Sequence, residues 1–353
     1  MKQLMKGNEA IAFAAIHSGI KCFFGYPITP QTEIAAYMAE NLHKHGGVFL
    51  QAESEVSAIN MVYGAAGAGF RVMTSSSSPG ISLKQEGISY IAAADLPCVI
   101  VNVMRAGPGL GGIQAAQSDY FQATKGGGHG DYHLIVLAPA SAQEMAEMTV
   151  QAFNLADRWR MPVMLLADGV IGQMMEIVDM SKLPPVEHYG KPWAANGRHG
   201  RDKHNIINTL YLSPEELERV NIMQEKKYSK IKSELQDWEE YNTDGADIIV
   251  TAYGTSARIA RAAVNKAAKE GIRAGIIRPR TLWPFPDKAY NRAAKAILCV
   301  EMSRGQMVED VRLAVNGRIP VEFYGRCGGM LPDEDEILNE IRRLSHGKYS
   351  EKA

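Results

Sequence analysis

The stretch GYPITPQTE, residues 25–33, decides the fold class because it joins a strand-like run to a helix-like run. A short, mostly apolar run at residues 21–24 precedes it, and residues 34–40 follow with the composition of a helix. We expect Thr29 to cap that helix with its hydroxyl and Pro30 to lie in its first turn, where a missing N–H costs nothing. A strand end, a tight turn and a helix start commonly form the ligand crevice of an α/β protein. Taken alone, the stretch also fits a capped turn without chemistry.

The same alternation of strands and helices runs through residues 8–168 and resumes at residue 247. Its strands are apolar without alternation, which is typical of a parallel sheet covered by helices on both faces. Residues 1–180 therefore predict a doubly wound parallel-sheet domain, and residues 246–353 predict a second, smaller α/β domain. Residues 181–245 are rich in proline, glycine, histidine and charge, so we interpret them as a linker or excursion arm.

Composition excludes several classes of protein. The 353 residues are 46% hydrophobic and 22% charged, with a net charge of −1, which gives no basic footprint for nucleic acid or an anionic membrane. No apolar run approaches the roughly 20 residues of a membrane span, and the first residues lack the apolar core of a signal peptide. The cytoplasm is the expected location.

The cysteines limit the redox chemistry that this chain can carry. Cys22, Cys98, Cys299 and Cys327 are far apart, and the sequence contains no Cys-x-x-Cys. Their spacing predicts neither an iron–sulfur cluster nor a structural zinc site built from these thiols alone. If the protein takes part in electron transfer, the redox centre lies on another chain.

Glu55 is the sharpest candidate for chemistry. It follows a predicted buried strand and opens a helix whose next residues are small and apolar. A carboxylate at a helix N-terminus is stabilised there, and a partly dry carboxylate can share a proton with a ring nitrogen. The alternative is that Glu53 and Glu55 lie at the start of the helix without any chemical role.

Arg105 ends the most apolar strand and precedes a glycine-rich loop at residues 106–112. An arginine in this place can bind a carboxylate with two parallel hydrogen bonds. The loop also matches G-x-G-x-x-G, but it follows a late strand and contains Pro108, so a lid over a substrate fits it better than a dinucleotide site.

Two further loops are candidates for ligand binding or for an interface, and each can also be a simple polar turn. Residues 74–80, TSSSSPG, can hold a phosphate or line a cofactor channel, although a capped turn is the simpler role for most of the serines. Residues 301–306, EMSRGQ, follow a strand and can line an interface, or can form a polar strand-to-helix turn.

Taken together, residues 26–30, Ser54-Glu55, Arg105 and residues 301–306 resemble the α subunit of the multi-subunit 2-oxoacid:ferredoxin oxidoreductases. The most similar members are those for branched-chain 2-oxoacids (2-oxoisovalerate) or for 2-oxoglutarate, and the likeness covers nearly the whole chain. The resemblance implies a pyrimidine-binding thiamine-type first domain and a transketolase C-terminal-like second domain. It also implies conversion of a 2-oxoacid to acyl-CoA and CO2 with reduction of ferredoxin.

The resemblance also implies roles for individual residues. Glu55 would hydrogen-bond the aminopyrimidine ring of thiamine diphosphate, and Thr29 and Arg105 would contact the substrate. Tyr26, Pro27 and Ile28 would shape the pocket around the cofactor. No metal ligand is expected in this chain, because it lacks a Gly-Asp-Gly followed by paired asparagines; residues 167–169, ADG, are only a partial match.

This pattern implies an assembly. A β subunit would hold the diphosphate and Mg²⁺, a ferredoxin-like δ subunit and a γ subunit would complete the complex, and iron–sulfur clusters would lie only in these partners. 2-Oxoacid and CoA would be the substrates, and the chain alone would be inactive. Two alternatives stay open: a non-catalytic scaffold subunit, and a nucleotide-binding oxidoreductase that uses the loop at Gly107.

Overall fold

Two β-sheets covered by helices account for most of residues 2–349, the part of the chain that this computed structural model describes. The strands are β1 (Lys2–Lys6), β2 (Cys22–Gly25), β3 (Val48–Gln51), β4 (Val72–Ser76), β5 (Cys98–Met104), β6 (Ile135–Leu137), β7 (Pro162–Asp168), β8 (Met175–Asp179), β9 (Trp238–Tyr241), β10 (Ile248–Thr251), β11 (Ala274–Pro279), β12 (Thr281–Trp283), β13 (Ala296–Glu301) and β14 (Val321–Gly325). The α-helices are α1 (Gly7–His17), α2 (Thr32–Asn41), α3 (Glu55–Gly67), α4 (Pro79–Ala93), α5 (Tyr120–Thr124), α6 (Ala142–Trp159), α7 (Gly169–Gln173), α8 (Pro214–Glu234), α9 (Gly254–Lys269), α10 (Met307–Val315) and α11 (Glu334–Ser345). None of the helices within residues 2–349 is long and apolar enough to cross a membrane.

The first sheet has seven strands in the order β12-β6-β7-β5-β4-β2-β3. Its strands β2 to β7 run parallel, and every residue of β4, β5 and β7 is buried. Such strands must be covered on both faces, which explains why their sequences are mostly apolar without polar alternation. The predicted parallel α/β fold is confirmed. The edge strand β12 was not expected: it comes from the second half of the chain and pairs antiparallel with β6.

The second sheet has five strands in the order β14-β13-β10-β11-β9. Four are parallel, and β9 runs antiparallel beside β11. Because β9 covers residues 238–241, this sheet draws one edge strand from the stretch interpreted as an arm. A separate two-stranded ribbon pairs β1 with β8.

Part of the predicted arm is packed against the core. Helix α8 buries Gln224, Tyr228 and Ile231, which are spaced four and three residues apart and so share one face of the helix. The Gln224 side chain donates to the carbonyls of Ala92 and Ala93 at the end of α4. The sequence of α8 resembles a solvated segment because many of its residues are charged. The narrow buried face is therefore difficult to recognise from the sequence.

The two sheets are joined by the side chain of Gln117. Its amide nitrogen donates to the carbonyl of Tyr253 (2.8 Å), and its amide oxygen accepts from Ser256 Oγ (2.7 Å) and from Met302 N (3.0 Å). The Gln117 backbone N–H also donates to the Met302 carbonyl (2.8 Å). A fully buried amide with this many partners fixes how one sheet sits on the other.

The bend at residues 25–33 differs from its prediction in one respect. Helix α2 begins at Thr32 with Gln31 as its N-cap, so Thr29 does not cap it and Pro30 lies outside it. The carbonyl of Pro30 instead accepts hydrogen bonds from the side-chain amides of Asn8 (2.8 Å) and Gln173 (2.8 Å). The bend is therefore fixed by α1 and α7 rather than by a helix cap.

Candidate active site

Four loops meet at one edge of the seven-stranded sheet because their strands are neighbours in the order β5-β4-β2-β3. Arg105 follows β5, the serines at residues 76–78 end β4, residues 26–31 follow β2, and Glu55 follows β3. Parallel strands bring their carboxyl ends to the same edge, which is where α/β proteins bind ligands. The backbone N–H of Ala52 donates to the Gly25 carbonyl (2.9 Å) and ties the last two of these loops together.

Glu55 is the first residue of α3, and its side chain turns into this crevice. Ser54 caps the helix by accepting a hydrogen bond from Ser57 N (3.2 Å). The Glu55 residue is 6% exposed, and its carboxylate forms no hydrogen bond to any residue in the described chain. A buried carboxylate normally has partners, so this one is free to receive a ligand that can donate a hydrogen bond.

Gly80, in the first turn of α4, lets the backbone come close to this carboxylate. A methyl group on Gly80 would lie 2.7 Å from Glu55 Oε1 and 3.0 Å from Glu55 Cγ, and closer still to Ser76 Oγ. The hydroxyls of Ser76 and Ser77 are buried and have no partner within the described chain. The serine-rich loop therefore lines the crevice beside Glu55 with unpaired hydroxyls.

Replacing Gly80 with alanine is expected to displace the Glu55 carboxylate, because the added methyl group overlaps it. Overpacking of this kind costs about 1–3 kcal/mol in free energy of unfolding. Gly64→Ala is the matched control: Gly64 is an exposed helical residue of α3 with nothing within 4 Å, so alanine should stabilise by about 0.5–1 kcal/mol. Denaturant unfolding of the two variants checks both values. Equal stabilisation by both substitutions would contradict the close approach.

Arg105 connects the bend to the glycine-rich loop. It is 7% exposed; Nη1 donates to the Thr29 carbonyl (3.2 Å) and Nη2 to the Leu110 carbonyl (3.1 Å). Its Nε is buried without a partner in the described chain. A guanidinium carries five N–H donors, and the two carbonyls take two of them, so donors remain for an anion.

The outer wall of the crevice is the bend itself. Tyr26, Pro27 and Thr29 are exposed and Ile28 is half-buried. Gln31 holds the inner side, since its side chain donates to the Tyr26 carbonyl (3.4 Å) and accepts from Ser75 Oγ (2.5 Å). Arg105 thus contacts Thr29 directly, and the loops that carry Tyr26, Pro27, Ile28 and Glu55 lie at the same edge of the sheet.

A polar network under Arg105 was missed from the sequence. Arg105 N donates to Ser78 Oγ (3.0 Å), Ser78 Oγ donates to Asp119 Oδ2 (2.6 Å), and Asn102 Nδ2 donates to the same oxygen (2.9 Å). Burial raises the pKa of the Asp119 carboxyl, and the two donors oppose that shift. The feature of the sequence that could have predicted this network is Asn102, the lone polar residue inside the apolar strand β5.

Residues 301–306 form the polar strand-to-helix turn that was one of their two predicted roles. The buried carboxylate of Glu301 accepts from the backbone N–H groups of Gln306, Met307 and Val308, and so caps α10. Met302 pairs with Gln117, so the same turn also lies between the two sheets. It closes one side of a cleft of about 560 Å³ that also borders the glycine-rich loop and the start of α4.

Within residues 2–349, no group of three or more His, Cys, Asp or Glu side chains gathers as metal ligands do. Asp168, in the partial ADG match, is fully buried and has another use. It accepts from Val170 N and Ile171 N, and from both Thr255 N (2.9 Å) and Thr255 Oγ1 (2.6 Å). Burial raises the pKa of the Asp168 carboxyl, and these donors oppose the shift. Its oxygens cap α7 and join the two sheets.

Two family models match the chain. Residues 13–244 match the thiamine diphosphate-binding domain of pyruvate flavodoxin/ferredoxin oxidoreductases, and residues 246–337 match core domain II of pyruvate:ferredoxin oxidoreductase. Together the two models cover both sheets and the arm between them.

Curated relatives match nearly end to end. The chain is 49% identical to the ketoisovalerate oxidoreductase subunit VorB of Methanothermobacter thermautotrophicus, over 97% of this chain and 98% of that protein. It is 37% identical to the 2-oxoglutarate synthase subunit KorA of Methanothermobacter marburgensis, over 96% and 97% of the two chains.

Solved structures share the architecture. A 2-oxoglutarate:ferredoxin oxidoreductase from Magnetococcus marinus, solved with 2-oxoglutarate, coenzyme A and succinyl-CoA bound, superimposes with a TM-score of 0.85 at 28% identity. The match covers 98% of this chain and 65% of that one. A split-gene transketolase superimposes with a TM-score of 0.62 at 13% identity over 98% and 99% of the two chains, a likeness in fold alone.

Proposed function

Because this chain belongs to the 2-oxoacid:ferredoxin oxidoreductases as an α-type subunit, we propose that its crevice is half of a shared active site. In this proposal the crevice receives the pyrimidine end of thiamine diphosphate and the carboxylate of a 2-oxoacid. The observation that carries it is the buried Glu55 carboxylate, which forms no hydrogen bond in the described chain and lies at the same edge of the sheet as Arg105.

The residues present fit the pyrimidine end of the cofactor. Glu55 supplies a free acceptor, Ser76 and Ser77 supply unpaired hydroxyls, and Gly80 lets the start of α4 pack directly against the carboxylate. When bound, thiamine diphosphate supplies a carbon nucleophile for the keto carbon of the substrate. The part of Glu55 is to hold and release one proton at a ring nitrogen in a site that excludes water.

Arg105 is proposed to bind the substrate carboxylate through the N–H donors that remain after its bonds to Thr29 and Leu110. Thr29 places its exposed side chain at the same point and contacts the substrate. Tyr26, Pro27 and Ile28 form the wall that shapes the pocket. Fixed donors around the carboxylate hold the keto carbon in one orientation for attack.

The diphosphate end and its Mg²⁺ are proposed to lie on a partner β subunit. Residues 2–349 offer no acidic cluster for the metal, and Asp168 is already used inside the fold. Four large apolar side chains near the crevice are exposed, which supports the proposal that another subunit binds there, since exposed apolar groups commonly mark interfaces. They are Tyr26 (38% exposed), Val56 (44%), Leu110 (82%) and Ile113 (61%).

Iron–sulfur clusters are proposed to lie only in the partners, a ferredoxin-like δ subunit and a γ subunit among them. Cys98 and Cys299 are buried, Cys22 is half-buried and Cys327 is exposed, and all four are free thiols. Free thiols are typical of a reducing compartment, which supports a cytoplasmic location. The chain without its partners is expected to be inactive, because residues 2–349 offer no acidic cluster for the Mg²⁺ that accompanies the diphosphate.

We propose 2-oxoisovalerate as the preferred substrate. The support is the higher identity to a ketoisovalerate oxidoreductase subunit, 49%, than to a 2-oxoglutarate synthase subunit, 37%. Arg105 suits the carboxylate that both substrates share. The side chain distinguishes them, because 2-oxoglutarate requires a second cationic partner, whereas a branched aliphatic side chain requires only apolar contacts.

Co-purification of the native complex followed by a substrate panel tests this function. CoA-dependent reduction of ferredoxin is measured with 2-oxoisovalerate, 2-oxoglutarate, pyruvate and a buffer control. The highest kcat/KM is expected for 2-oxoisovalerate, and no turnover is expected without thiamine diphosphate. A chain that purifies alone and binds NAD(P) tightly would favour the nucleotide-binding alternative instead.

A further inference from the structure

Helix α4 buries a lysine in the interior of the first domain. Lys84 is 0% exposed, and its Nζ donates to Thr74 Oγ1 (2.7 Å) and to the Ser75 carbonyl (3.0 Å). Within the described chain no carboxylate lies within ion-pair distance of Nζ. A wholly buried lysine without a paired carboxylate is rare, and burying its charge is costly. Such a cost indicates a role beyond packing.

Lys84 lies next to the floor of the proposed crevice. It is four residues after Gly80, so both occupy the same face of α4, and Gly80 is the residue against which the Glu55 carboxylate rests. Its anchors on β4 directly precede Ser76, whose hydroxyl also lies against Gly80. Burial lowers the pKa of Lys84 to about 7, and the charge of Glu55 opposes the shift. Among the charged groups of the described chain, Glu55 is the one with an appreciable electrostatic effect on Lys84.

We propose that Lys84 is a positioning residue for Glu55: its buried ammonium group is a counter-charge for this carboxylate that leaves both carboxylate oxygens free for a ligand. The inference rests on the proposed function. An isolated carboxylate in a dry site takes up a proton and loses its charge, and it can then no longer accept one from a cofactor ring. A direct salt bridge would occupy the carboxylate oxygens. Because the Lys84 ammonium group donates to Thr74 and Ser75 of β4 instead, it supplies the positive charge and leaves both carboxylate oxygens of Glu55 free.

This role and a purely structural one predict opposite effects of Lys84→Met on stability. The folded-state pKa of about 7 lies below the ordinary lysine pKa of 10.5, so the unfolded chain binds more protons between these two pH values. The buried ammonium therefore destabilises the fold most at and below about pH 7, and stability rises toward pH 10.5. Methionine has a similar length and no charge, so at pH 6.5 the variant should unfold at a higher temperature. If the lysine instead stabilised the fold through its hydrogen bonds, the variant would unfold at a lower temperature than wild type.

The experiment combines three measurements on the full chain and on the reconstituted complex. Thermal unfolding at pH 6.5 compares wild type, Lys84→Met and Lys21→Met, which removes an exposed positive charge as a control. Side-chain NMR follows the titration of Lys84 in wild type and in Glu55→Gln. Turnover of the complex is then compared at one pH. We expect Lys84→Met to unfold at a higher temperature yet to lose turnover on the order of tenfold, the scale on which one nearby charge changes a proton equilibrium.

The NMR result is the most direct. The Lys84 signal should titrate near pH 7 in wild type and at a lower pH in Glu55→Gln, because the substitution removes the negative charge that favours the ammonium form. Equal midpoints in the two proteins, or earlier unfolding of Lys84→Met, would overturn the inference. Both measurements need only the chain without cofactor, so they can succeed or fail independently of the proposed thiamine site. Lys21→Met should leave stability and turnover unchanged.

Discussion

Replacing Glu55 with alanine is expected to slow CoA-dependent ferredoxin reduction by about 10²–10⁴-fold in the assembled complex, the range that one acid–base group contributes. The Glu55 residue is 6% exposed and its carboxylate forms no hydrogen bond in the described chain, so no hydrogen-bonded neighbour can take over its proton. The variant chain should still fold and assemble, because Ser54 caps α3 without help from Glu55. Steady-state turnover with 2-oxoisovalerate and saturating thiamine diphosphate measures the effect.

Glu53→Ala is the control for this substitution. Glu53 lies two residues earlier on the same turn and is exposed, so its removal changes the charge near α3 without reaching the crevice. Turnover should stay within twofold of wild type, since surface substitutions of this kind have small effects. If Glu55→Ala also kept full turnover, the chain would be a scaffold subunit, the other role that its sequence allows.

Replacing Arg105 with methionine is expected to raise the KM for a 2-oxoacid by about 10- to 100-fold, the scale of one or two charge-assisted hydrogen bonds. The unpartnered Nε and the remaining Nη protons are the groups that a carboxylate would use. Arg105→Lys keeps the charge but loses the planar pair of donors, so most of the KM effect should persist. Initial rates over a range of 2-oxoisovalerate concentrations give both constants.

The two carbonyls that Arg105 binds require a control, because its loss also loosens the bend and the glycine-rich loop. A substrate analogue with a neutral amide in place of the carboxylate separates the two effects. Arg105→Met should weaken binding of the acid far more than binding of the amide. Equal weakening of both would mean that Arg105 only supports the loops. Arg219→Met, an exposed site on α8, controls for loss of a positive charge.

The sequence predicts that the loops of the candidate site share one edge of the sheet, because parallel strands impose a simple geometry. Glu55, Arg105 and the bend each follow a predicted strand, and the carboxyl ends of parallel strands share an edge. The sequence does not predict their strand order. Neither does it predict that Thr29 offers a carbonyl to Arg105 instead of a hydroxyl to α2, since this depends on Asn8 and Gln173, which lie far away along the chain.

The position of Lys84 in the core could have been predicted from the apolar spacing of α4. The apolar residues Ile81, Ile88 and Ile91 mark the core-facing stripe of α4, and Lys84 is three residues after the first and four before the second. A lysine on such a stripe predicts either an error in the helix assignment or a buried charge. The apolar stripe of α8 was missed for the opposite reason, since its many charges mask three buried positions.

Strand β12 has a consequence for any attempt to divide this protein into modules. It comes from residues 281–283 but completes the first sheet, where Trp283 stacks on His133 and packs edge-on against Tyr228. A fragment that stopped at residue 245 would leave the hydrogen-bonding groups of β6 bare. Bare strand edges invite pairing with other copies and precipitation. The two halves are therefore not interchangeable parts, and a swap with a relative has to carry residues 281–283 along with the first sheet.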